Sequence, residues 1–332
     1  MSFGDESIRN NPVTGEEYNP QKSPRYSGVS TFMRAPLLEM TGEELSSLDI
    51  GMVGVPFDGG VTFRPGARLG PKAIREASRL MRTLHHATQV APFDLCRVRD
   101  LGDVNFQNHY DINNCVEDMI AYYSKLHQAG VAPLSVGGDH SISYPILKAI
   151  ASDQPVAMIH FDAHTDTMGP LFGSKFHHGA PFYHAAKEGL IDPKHCIQIG
   201  IRGSEHHGTP NNSLEMGMRV IFIEEFVTMG VEAVIAEARK IVGDMPTYIT
   251  FDVDGLDPIY APGTGTPESG GIHMREAQQI LRGLRGINFI GGDVVEVAPC
   301  YDPTEITAQT GATLMFEILC LLSEATAKRN HG

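Results

Sequence analysis

Two short stretches of the chain combine acidic residues with histidine in a spacing that could bind metal ions. They contribute Asp162, His164, Asp166, Asp252 and Asp254. Each stretch follows an apolar run, 155–161 in one case and 247–251 in the other, which is typical of a strand buried in a parallel sheet. Carboxylates gathered at the ends of two buried strands would repel one another unless cations neutralised them. The alternating spacing therefore favours a binuclear divalent-metal centre over helix caps or solvated turns.

Two further polar residues follow or interrupt apolar segments. Glycines at 137–138 permit a tight turn after the apolar segment 132–136, which leaves His140 at the carboxyl end of that strand. A single histidine there is usually structural, but beside the acidic stretches it is a candidate metal ligand. Glu296 lies within the apolar segment 292–299, where an unpaired carboxylate is costly to bury. Its position indicates a hydrogen-bonded or cation-paired role.

The elements that must position these residues alternate between strand and helix from about residue 48. Helical spacing of apolar residues predicts helices at 112–129, 231–242 and 309–327. The predicted strands are 50–55, 93–99, 132–136, 155–160, 195–200, 219–223, 247–252 and 289–295. This alternation predicts an α/β fold with a parallel sheet and helices on both faces, and loops at the carboxyl ends of the strands are where functional residues should gather.

We expect one domain, residues 46–332, preceded by an N-terminal arm, residues 1–45. The arm is rich in polar residues and proline, and the later chain shows neither a flexible linker nor an internal repeat. Within the arm, segment 26–36 is apolar enough to dock on a surface or on a neighbouring subunit. We expect it to be ordered but outside the main core.

Composition limits the classes of partner. The chain has 332 residues, with 26 basic and 40 acidic side chains and a net charge of −14. This charge argues against nucleic acid or an anionic membrane as a partner and is compatible with a small cationic substrate. Five scattered cysteines without C-x-x-C spacing, no signal sequence and no run of membrane-spanning length predict a cytoplasmic protein.

Taken together, these segments resemble the signature motifs of the ureohydrolase superfamily, which includes arginases, agmatinases and guanidino-acid hydrolases. The motifs are Gly-Gly-Asp-His at 137–140, Asp-Ala-His-Thr-Asp at 162–166, Phe-Asp-Val-Asp-Gly-Leu-Asp-Pro at 251–258, and Glu296. The similarity extends over about residues 28–325, with the motifs in the expected order. Segments 31–34 and 63–71 look more like the agmatinase and guanidinobutyrase branch than arginase proper.

The resemblance implies a three-layer αβα sandwich with an eight-stranded parallel sheet, assembled as a homo-oligomeric trimer or hexamer, with a homologous partner subunit also conceivable. It implies two divalent metal ions per chain. His140 and Asp166 would bind one ion, His164 and Asp254 the other, and Asp162 and Asp252 would bridge them. These ligands suit Mn²⁺ best and are also compatible with Ni²⁺ or Co²⁺.

The implied reaction is hydrolysis of a guanidino C–N bond by a metal-bound hydroxide, typically releasing urea and an amine. In this scheme Glu296 pairs with the guanidinium group and Asp166 accepts a hydrogen bond from the hydroxide. His178 matches the family's proton-shuttling histidine, because glycine follows it as in the family motif. Its neighbour His177 could contact the substrate or lie at the surface.

Substrate choice is expected to depend on the loop at 167–177, which is mostly apolar. Its one charge, Lys175, could pair with a substrate carboxylate or be solvated at the rim. His207, together with His206, follows another predicted strand and could also touch the substrate. Agmatine or a guanidino acid such as 4-guanidinobutanoate is the leading expectation. The apolar loop also leaves room for an alkylguanidine or a substituted biguanide such as a dimethylbiguanide, which would release an alkylamine.

Other classes of protein fit the sequence less well. A formiminoglutamate hydrolase needs a dicarboxylate pocket, and the basic residues for one are scarce. A catalytically silent partner of an active homologue would have lost metal ligands, and none is lost here. A metal-dependent deacetylase typically uses one zinc ion and a different ligand order, and a phosphoesterase needs a phosphate motif that this chain lacks.

Overall fold

The computed structural model describes residues 24–38, 45–204, 207–208 and 211–331. The strands in these ranges form one eight-stranded sheet. They are β1 Ile50–Val55, β2 Val98–Asp103, β3 Ala132–Gly137, β4 Val156–Phe161, β5 Ile191–Ile201, β6 Arg219–Phe222, β7 Thr247–Asp252 and β8 Phe289–Val295. Their order is β2-β1-β3-β8-β7-β4-β5-β6, and all neighbouring strands are parallel. The expected α/β architecture is confirmed.

Helices connect the strands and cover both faces of the sheet. They are α1 Gly70–Ser78, α2 Pro92–Leu95, α3 Ile112–Gln128, α4 Ser143–Ile150, α5 Pro181–Lys187, α6 Asn212–Met216, α7 Ile223–Met229, α8 Val231–Val242, α9 Met274–Gly283 and α10 Ile306–His331. Short 3-10 turns occur at Phe32–Arg34, Ala67–Leu69, His140–Ile142, Val253–Gly255 and Pro299–Tyr301.

Alternate residues of each strand enter two separate cores, because successive side chains of a strand point to opposite faces. In β1, Ile50 and Met52 lie in a core with α8, α9 and α10, whereas Val53 and Val55 lie in a core with α3 and α4. Every residue of β1 is therefore buried. This two-sided burial explains why the central strands have continuous apolar sequences rather than alternating ones.

The second strand differs from the sequence prediction of 93–99. Residues 92–95 form a helical turn that begins at Pro92, a residue suited to the first position of a helix, and the strand runs from Val98 to Asp103. Charged residues hide this strand in the sequence. Asp100 is buried, and Nε of Arg75 donates to its Oδ2 over 2.9 Å. The charge of Asp100 can be buried because it is paired with that of Arg75.

Part of the N-terminal arm also departs from expectation. Phe32, Met33 and Ala35 are buried in the same core as residues of the sheet, so segment 26–36 is not wholly outside the main core. The backbone nitrogen of Phe32 donates to Asp100 Oδ2 over 2.8 Å. The guanidinium carbon of Arg75 lies 4.1 Å from the centre of the Phe32 ring. The rest of the arm at 1–23 and 39–44 lies outside the described residues.

The last helix is longer than the 309–327 predicted. By length and composition alone, its stretch Ile306–Asn330 could cross a membrane, which the sequence analysis did not anticipate. In the fold, however, 83% of its most apolar window is buried, as in the core helix of a globular protein. The helix packs on β8 and α1 and on β3.

Four central strands bring the candidate site residues together. Val136 of β3 pairs with Val294 of β8, Val294 with Phe251 of β7, and Phe251 with Phe161 of β4. These four residues therefore form one row across the sheet. Because parallel strands all end on the same side, the residues that follow this row meet at one edge.

Candidate metal centre and active site

The turn that carries His140 follows β3 directly. Gly138 has a φ of +44°, and a Cβ at this position would lie 2.4 Å from the carbonyl oxygen of Phe57. Only glycine fits such a close approach, which confirms the tight turn predicted from the sequence. The backbone nitrogen of His140 then donates to Oε1 of Glu296 over 2.9 Å, which joins the end of β3 to the end of β8.

One ring nitrogen of His140 faces carboxylates from two other strands. Its Nδ1 lies 3.1 Å from Asp162 Oδ2, 3.0 Å from Asp166 Oδ2 and 3.3 Å from Asp252 Oδ2. Nδ1 is buried and has no well-formed hydrogen bond within the described part of the chain. Burial alone would lower the pKa of His140, but the surrounding carboxylates raise it well above its ordinary value. A cation between Nδ1 and these carboxylate oxygens would therefore be stabilised.

The other ring nitrogen of His140 shows which tautomer is available to a metal. Its Nε2 lies 2.8 Å from Oγ1 of Thr250. The Thr250 hydroxyl donates its own hydrogen to Asp293 over 2.6 Å, so Thr250 accepts from Nε2–H. Nδ1 is thus free to offer its lone pair to an ion, as metal-binding histidines do when their second nitrogen is held by a hydrogen bond.

His164 gathers the second set of donors. Its Nδ1 lies 3.4 Å from Asp162 Oδ1 and 3.3 Å from Asp254 Oδ2. Asp162 therefore belongs to both donor groups, one around His140 and one around His164. The six candidate ligand residues lie close together, and their imidazole and carboxylate groups are donors that divalent transition metals such as Mn²⁺ accept.

Electrostatic repulsion within the cluster is strong. Asp162, Asp252 and Asp254 are all buried. Burial and the neighbouring carboxylates Asp254 and Asp162 raise the pKa of Asp252 well above its ordinary value. Burial raises the pKa of Asp254 to about 6 despite the opposing influence of His164. A cluster in which carboxylates resist ionisation in this way would be relieved by divalent cations.

Two of the predicted catalytic residues have unusual backbone conformations. Asp166 has a φ of +49° and Glu296 a φ of +65°, and both are buried. Non-glycine residues rarely adopt this left-handed region, and such strain is concentrated at functional sites. Oε1 of Glu296 is occupied by hydrogen bonds, whereas its Oε2 has no partner within the described residues.

His178 lies between Glu296 and the loop that contains Thr62. Its Nδ1 is 3.0 Å from Glu296 Oε1, and its Nε2 is 2.7 Å from Thr62 Oγ1 and 3.2 Å from the Thr62 nitrogen. Burial lowers the pKa of His178, but the bond to Glu296 and its charge outweigh burial and raise the pKa to about 9. When His178 is protonated, its Nε2–H can donate to the Thr62 hydroxyl, which is the shorter of the two contacts. When the ring is neutral, Nε2 can instead accept from the backbone N–H of Thr62, which is the longer contact.

A cleft of about 490 Å³ opens beside these groups. Its wall includes His164, Asp166, His177, His178 and Asp252. Other contributors are Thr62, Met168, Ile201, Ser204, Asn211, Asn212 and Thr266. The described lining residues include neither lysine nor arginine.

Of the three residues expected to contact substrate, only His177 is among the described residues that line the cleft. His177 lines the cleft and is buried, with Nε2 3.0 Å from the carbonyl oxygen of Gly169. Lys175 is not among the lining residues, and its ammonium lies 2.9 Å from Glu188 Oε1 and 3.4 Å from the Tyr144 hydroxyl. His207 is exposed and is likewise absent from the lining, and His206 lies outside the described residues.

Three side chains that hold the site in place, those of Arg202, Thr62 and His160, were not predicted from the sequence. Arg202 donates to the carbonyl oxygens of Asp254 and Gly255 as well as that of Gly200, and so ties the loop after β7 to the end of β5. A histidine within the apolar run of β4 was the available signal for His160, whereas Thr62 has no sequence feature that sets it apart.

Comparisons with known proteins agree with this geometry. The sequence profile described as the arginase family matches residues 48–321. Guanidinopropionase of Pseudomonas aeruginosa is 50% identical to the chain over 309 residues, which are 92% of this chain and 95% of that protein. The mitochondrial agmatinase of Gallus gallus is 46% identical, over 89% of this chain and 86% of its own length.

Solved structures of related proteins superimpose closely on this chain. Proclavaminate amidino hydrolase from Streptomyces clavuligerus superimposes with a TM-score of 0.85 at 39% identity, covering 91% of this chain and 100% of that one. A hypothetical agmatinase from Burkholderia thailandensis superimposes with a TM-score of 0.84 at 41% identity, covering 92% and 94% of the two chains. With its parallel sheet, its His–Asp clusters and these relatives, the chain belongs to the arginase family.

Proposed function

We propose that this chain hydrolyses the C–N bond of a small guanidino compound and releases urea and an amine. The observation that supports this most strongly is the arrangement of His140, whose Nε2 is held by Thr250 while its Nδ1 faces three carboxylates. Buried carboxylates arranged in this way would bind cations, and they lie beside a cleft whose wall includes His178. The named relatives act on guanidino compounds, which agrees with the proposal.

The residues that would hold two divalent ions fall into three pairs. His140 and Asp166 would bind one ion, His164 and Asp254 would bind the other, and Asp162 and Asp252 would serve both. We propose Mn²⁺ as the physiological metal, with Ni²⁺ and Co²⁺ as alternatives that the same donors accept. Divalent ions held by these residues would supply a water molecule of lowered pKa as the nucleophile.

The protein's own residues then bind and orient the substrate. Oε2 of Glu296 is buried and has no partner in the described residues, so it can accept a hydrogen bond from a guanidinium N–H. A guanidinium held by this carboxylate has its carbon fixed in one place, which lowers the entropic part of the barrier. We also propose that Asp166 accepts a hydrogen bond from the attacking water.

His178 is proposed to supply the proton that the departing amine needs. Its raised pKa of about 9 keeps the imidazole protonated near neutral pH, so that a proton is available at Nε2. Its Nδ1–H remains bonded to Glu296, which holds the ring in one orientation. The same carboxylate thus orders both the substrate and the proton donor.

The cleft favours a substrate tail without a carboxylate. The described lining includes neither lysine nor arginine, and Lys175 is paired with Glu188. A buried carboxylate without a cationic partner would be costly. Agmatine, an alkylguanidine or a substituted biguanide therefore fits these contacts better than 4-guanidinobutanoate, whose carboxylate would have only histidines such as His177 and His178 as basic partners in the described lining.

Other features of the proposal concern the whole protein. We treat residues 46–332 as one catalytic domain and expect a trimer or hexamer, the assembly that the family resemblance implies. Its five cysteines are free, which agrees with the reducing environment of the cytoplasm. The alternative of a catalytically silent partner subunit would be supported by replacement of candidate ligands, and none of the six is replaced in this sequence.

The test is product release from a panel of guanidines. Protein stripped of metal would be reloaded with Mn²⁺, Ni²⁺ or Co²⁺ and assayed for both urea and free amine. The panel would contain arginine, agmatine, 4-guanidinobutanoate, 3-guanidinopropanoate, methylguanidine and a dimethylbiguanide. Turnover of one or more members would support the proposal, and no turnover of any member by protein with two bound ions would contradict it.

A further inference from the structure

His160 is a buried histidine beside the metal centre with no role so far. It is the penultimate residue of β4 and is completely buried. Its ring centre lies 5.1 Å from that of His140 and 4.6 Å from that of Phe182. Its Nε2 is 2.7 Å from Oδ2 of Asp162. By distance alone, His160 could be a metal ligand or a hydrogen-bond donor to one.

Gln198 on the neighbouring strand β5 decides between these roles. Its Nε2 lies 2.6 Å from the carbonyl oxygen of Thr165 and 2.9 Å from Nδ1 of His160. A carbonyl oxygen can only accept, so the amide NH₂ group of Gln198 must face it, and the second amide hydrogen points to His160. Nδ1 of His160 is therefore an acceptor. The ring proton is on Nε2 and is donated to Asp162.

We propose that Gln198 and His160 are positioning residues that fix the carboxylate of Asp162 for both metal ions. Asp162 belongs to both donor groups, so its orientation affects both ions. Gln198, His160 and Asp162 are completely buried, and water cannot readily replace a lost donor there. Hydrogen bonds to metal ligands of this kind typically change metal affinity by about 10- to 100-fold. The inference rests on the metal centre in the proposed function.

Metal binding, rather than turnover, provides the test. Metal-free protein would be titrated with Mn²⁺ while the electron paramagnetic resonance signal of unbound Mn²⁺ is recorded. His160→Met removes the donor and should weaken Mn²⁺ binding by about 10- to 100-fold. His160→Gln places an amide N–H near the former position of Nε2 and should restore much of the affinity. Gln198→Leu removes the constraint on the tautomer without changing His160 and should also weaken binding.

A matched control is available in the same sheet. Ser135→Ala on β3 deletes the buried 2.7 Å hydrogen bond between Ser135 and Tyr123, which does not involve the metal donors. It should bind Mn²⁺ as tightly as the wild type. The melting temperature of each metal-free variant would show whether folding is affected separately.

Each other outcome overturns the inference. Folded His160→Met or Gln198→Leu with wild-type affinity would show that the hydrogen bonds do not position Asp162. Equal weakening in Ser135→Ala would indicate a general effect of damage to the sheet. Failure of both variants to fold, with Ser135→Ala folded, would assign these residues to folding instead. A wild-type protein that binds none of Mn²⁺, Ni²⁺ and Co²⁺ would contradict the metal centre and this inference with it, whereas bound metal without turnover would contradict only the proposed reaction.

Discussion

Nδ1 of His178 donates a hydrogen bond to Oε1 of Glu296 over 3.0 Å, and this contact links the proposed proton donor to the proposed substrate-binding carboxylate. The same oxygen accepts from the backbone of His140 over 2.9 Å. Movement of Glu296 would therefore disturb the proposed proton donor His178 and the candidate metal ligand His140 together.

Replacement of His178 by alanine should leave metal binding intact and slow turnover. The imidazole contacts Thr62 and Glu296 rather than a metal ligand, and loss of a general acid typically costs about 10²-fold or more in rate. Metal content by elemental analysis and kcat for the best substrate would check this. Full turnover in the variant would rule out His178 as the proton donor.

The rate should also fall at high pH. Because Glu296 raises the pKa of His178 to about 9, the imidazole is protonated below that pH and loses its proton above it. We expect kcat to decline as the pH rises through about 9. In Glu296→Gln, the negative charge is removed and burial lowers the pKa, so the decline should begin at a lower pH. An unchanged pH profile in that variant would show that the decline in kcat is not caused by deprotonation of His178.

The hydroxyl of Thr62 should matter for turnover more than for substrate binding. Thr62→Val keeps the shape of the side chain but removes the partner of Nε2 of His178. Loss of a hydrogen bond to a charged group typically costs about 1.5 kcal/mol, so kcat should fall about tenfold. Thr62→Ser retains the hydroxyl and should retain most of the rate. A rise in KM with kcat unchanged would point instead to a direct substrate contact.

Asp162→Asn and Asp252→Asn should each lose metal and activity. Both replacements exchange a charged oxygen donor for a neutral amide in the cluster around His140. Elemental analysis after dialysis would measure the bound metal. A matched control is Asp153→Asn, an exposed carboxylate paired with His127, which should retain both ions. Wild-type metal content in either cluster variant would contradict the ligand assignment.

Lys175→Ala should have little effect on KM for guanidino acids. The ammonium is paired with Glu188 at the surface and is not among the residues that line the cleft. Because a surface ion pair contributes little to the stability of the fold, its loss should leave the cleft unchanged, and KM should change by no more than about twofold. KM for 4-guanidinobutanoate and for agmatine would be compared between variant and wild type. A large rise in KM confined to the acid would show that Lys175 does bind the carboxylate.

The sequence was sufficient to predict the parallel sheet and to select six candidate metal donors that the fold brings close together. Buried parallel strands have continuous apolar sequences, and short motifs of alternating polar residues mark their carboxyl ends. Residues such as Asp162 and Asp166 lie within one motif, so their proximity follows from local spacing. Strands β3, β4 and β7 were placed to within one residue at each end for this reason.

The errors arose where distant contacts decide the structure. Asp100 looks unsuitable for a strand until Arg75 is seen to neutralise it. Phe32 looks like part of an arm until Asp100 and Arg75 are seen beside it. The pairing of Lys175 with Glu188, 13 residues away, was likewise not visible in the sequence. Pairings of this kind depend on the completed fold and leave no local pattern.

The order of strands across the sheet has a consequence for how the protein matures. The six candidate donors and Glu296 lie at or just beyond the ends of β3, β4, β7 and β8. These strands are adjacent in the sheet but extend over the sequence from Ala132 to Val295. Contacts between segments so far apart in sequence form late in folding, because closing the intervening loops costs entropy. Unlike a zinc finger, in which the ion organises a short peptide, this chain would acquire its metals only after β8 has joined β3 and β7. A nascent chain that still lacks β8 would therefore emerge from the ribosome without a usable metal centre.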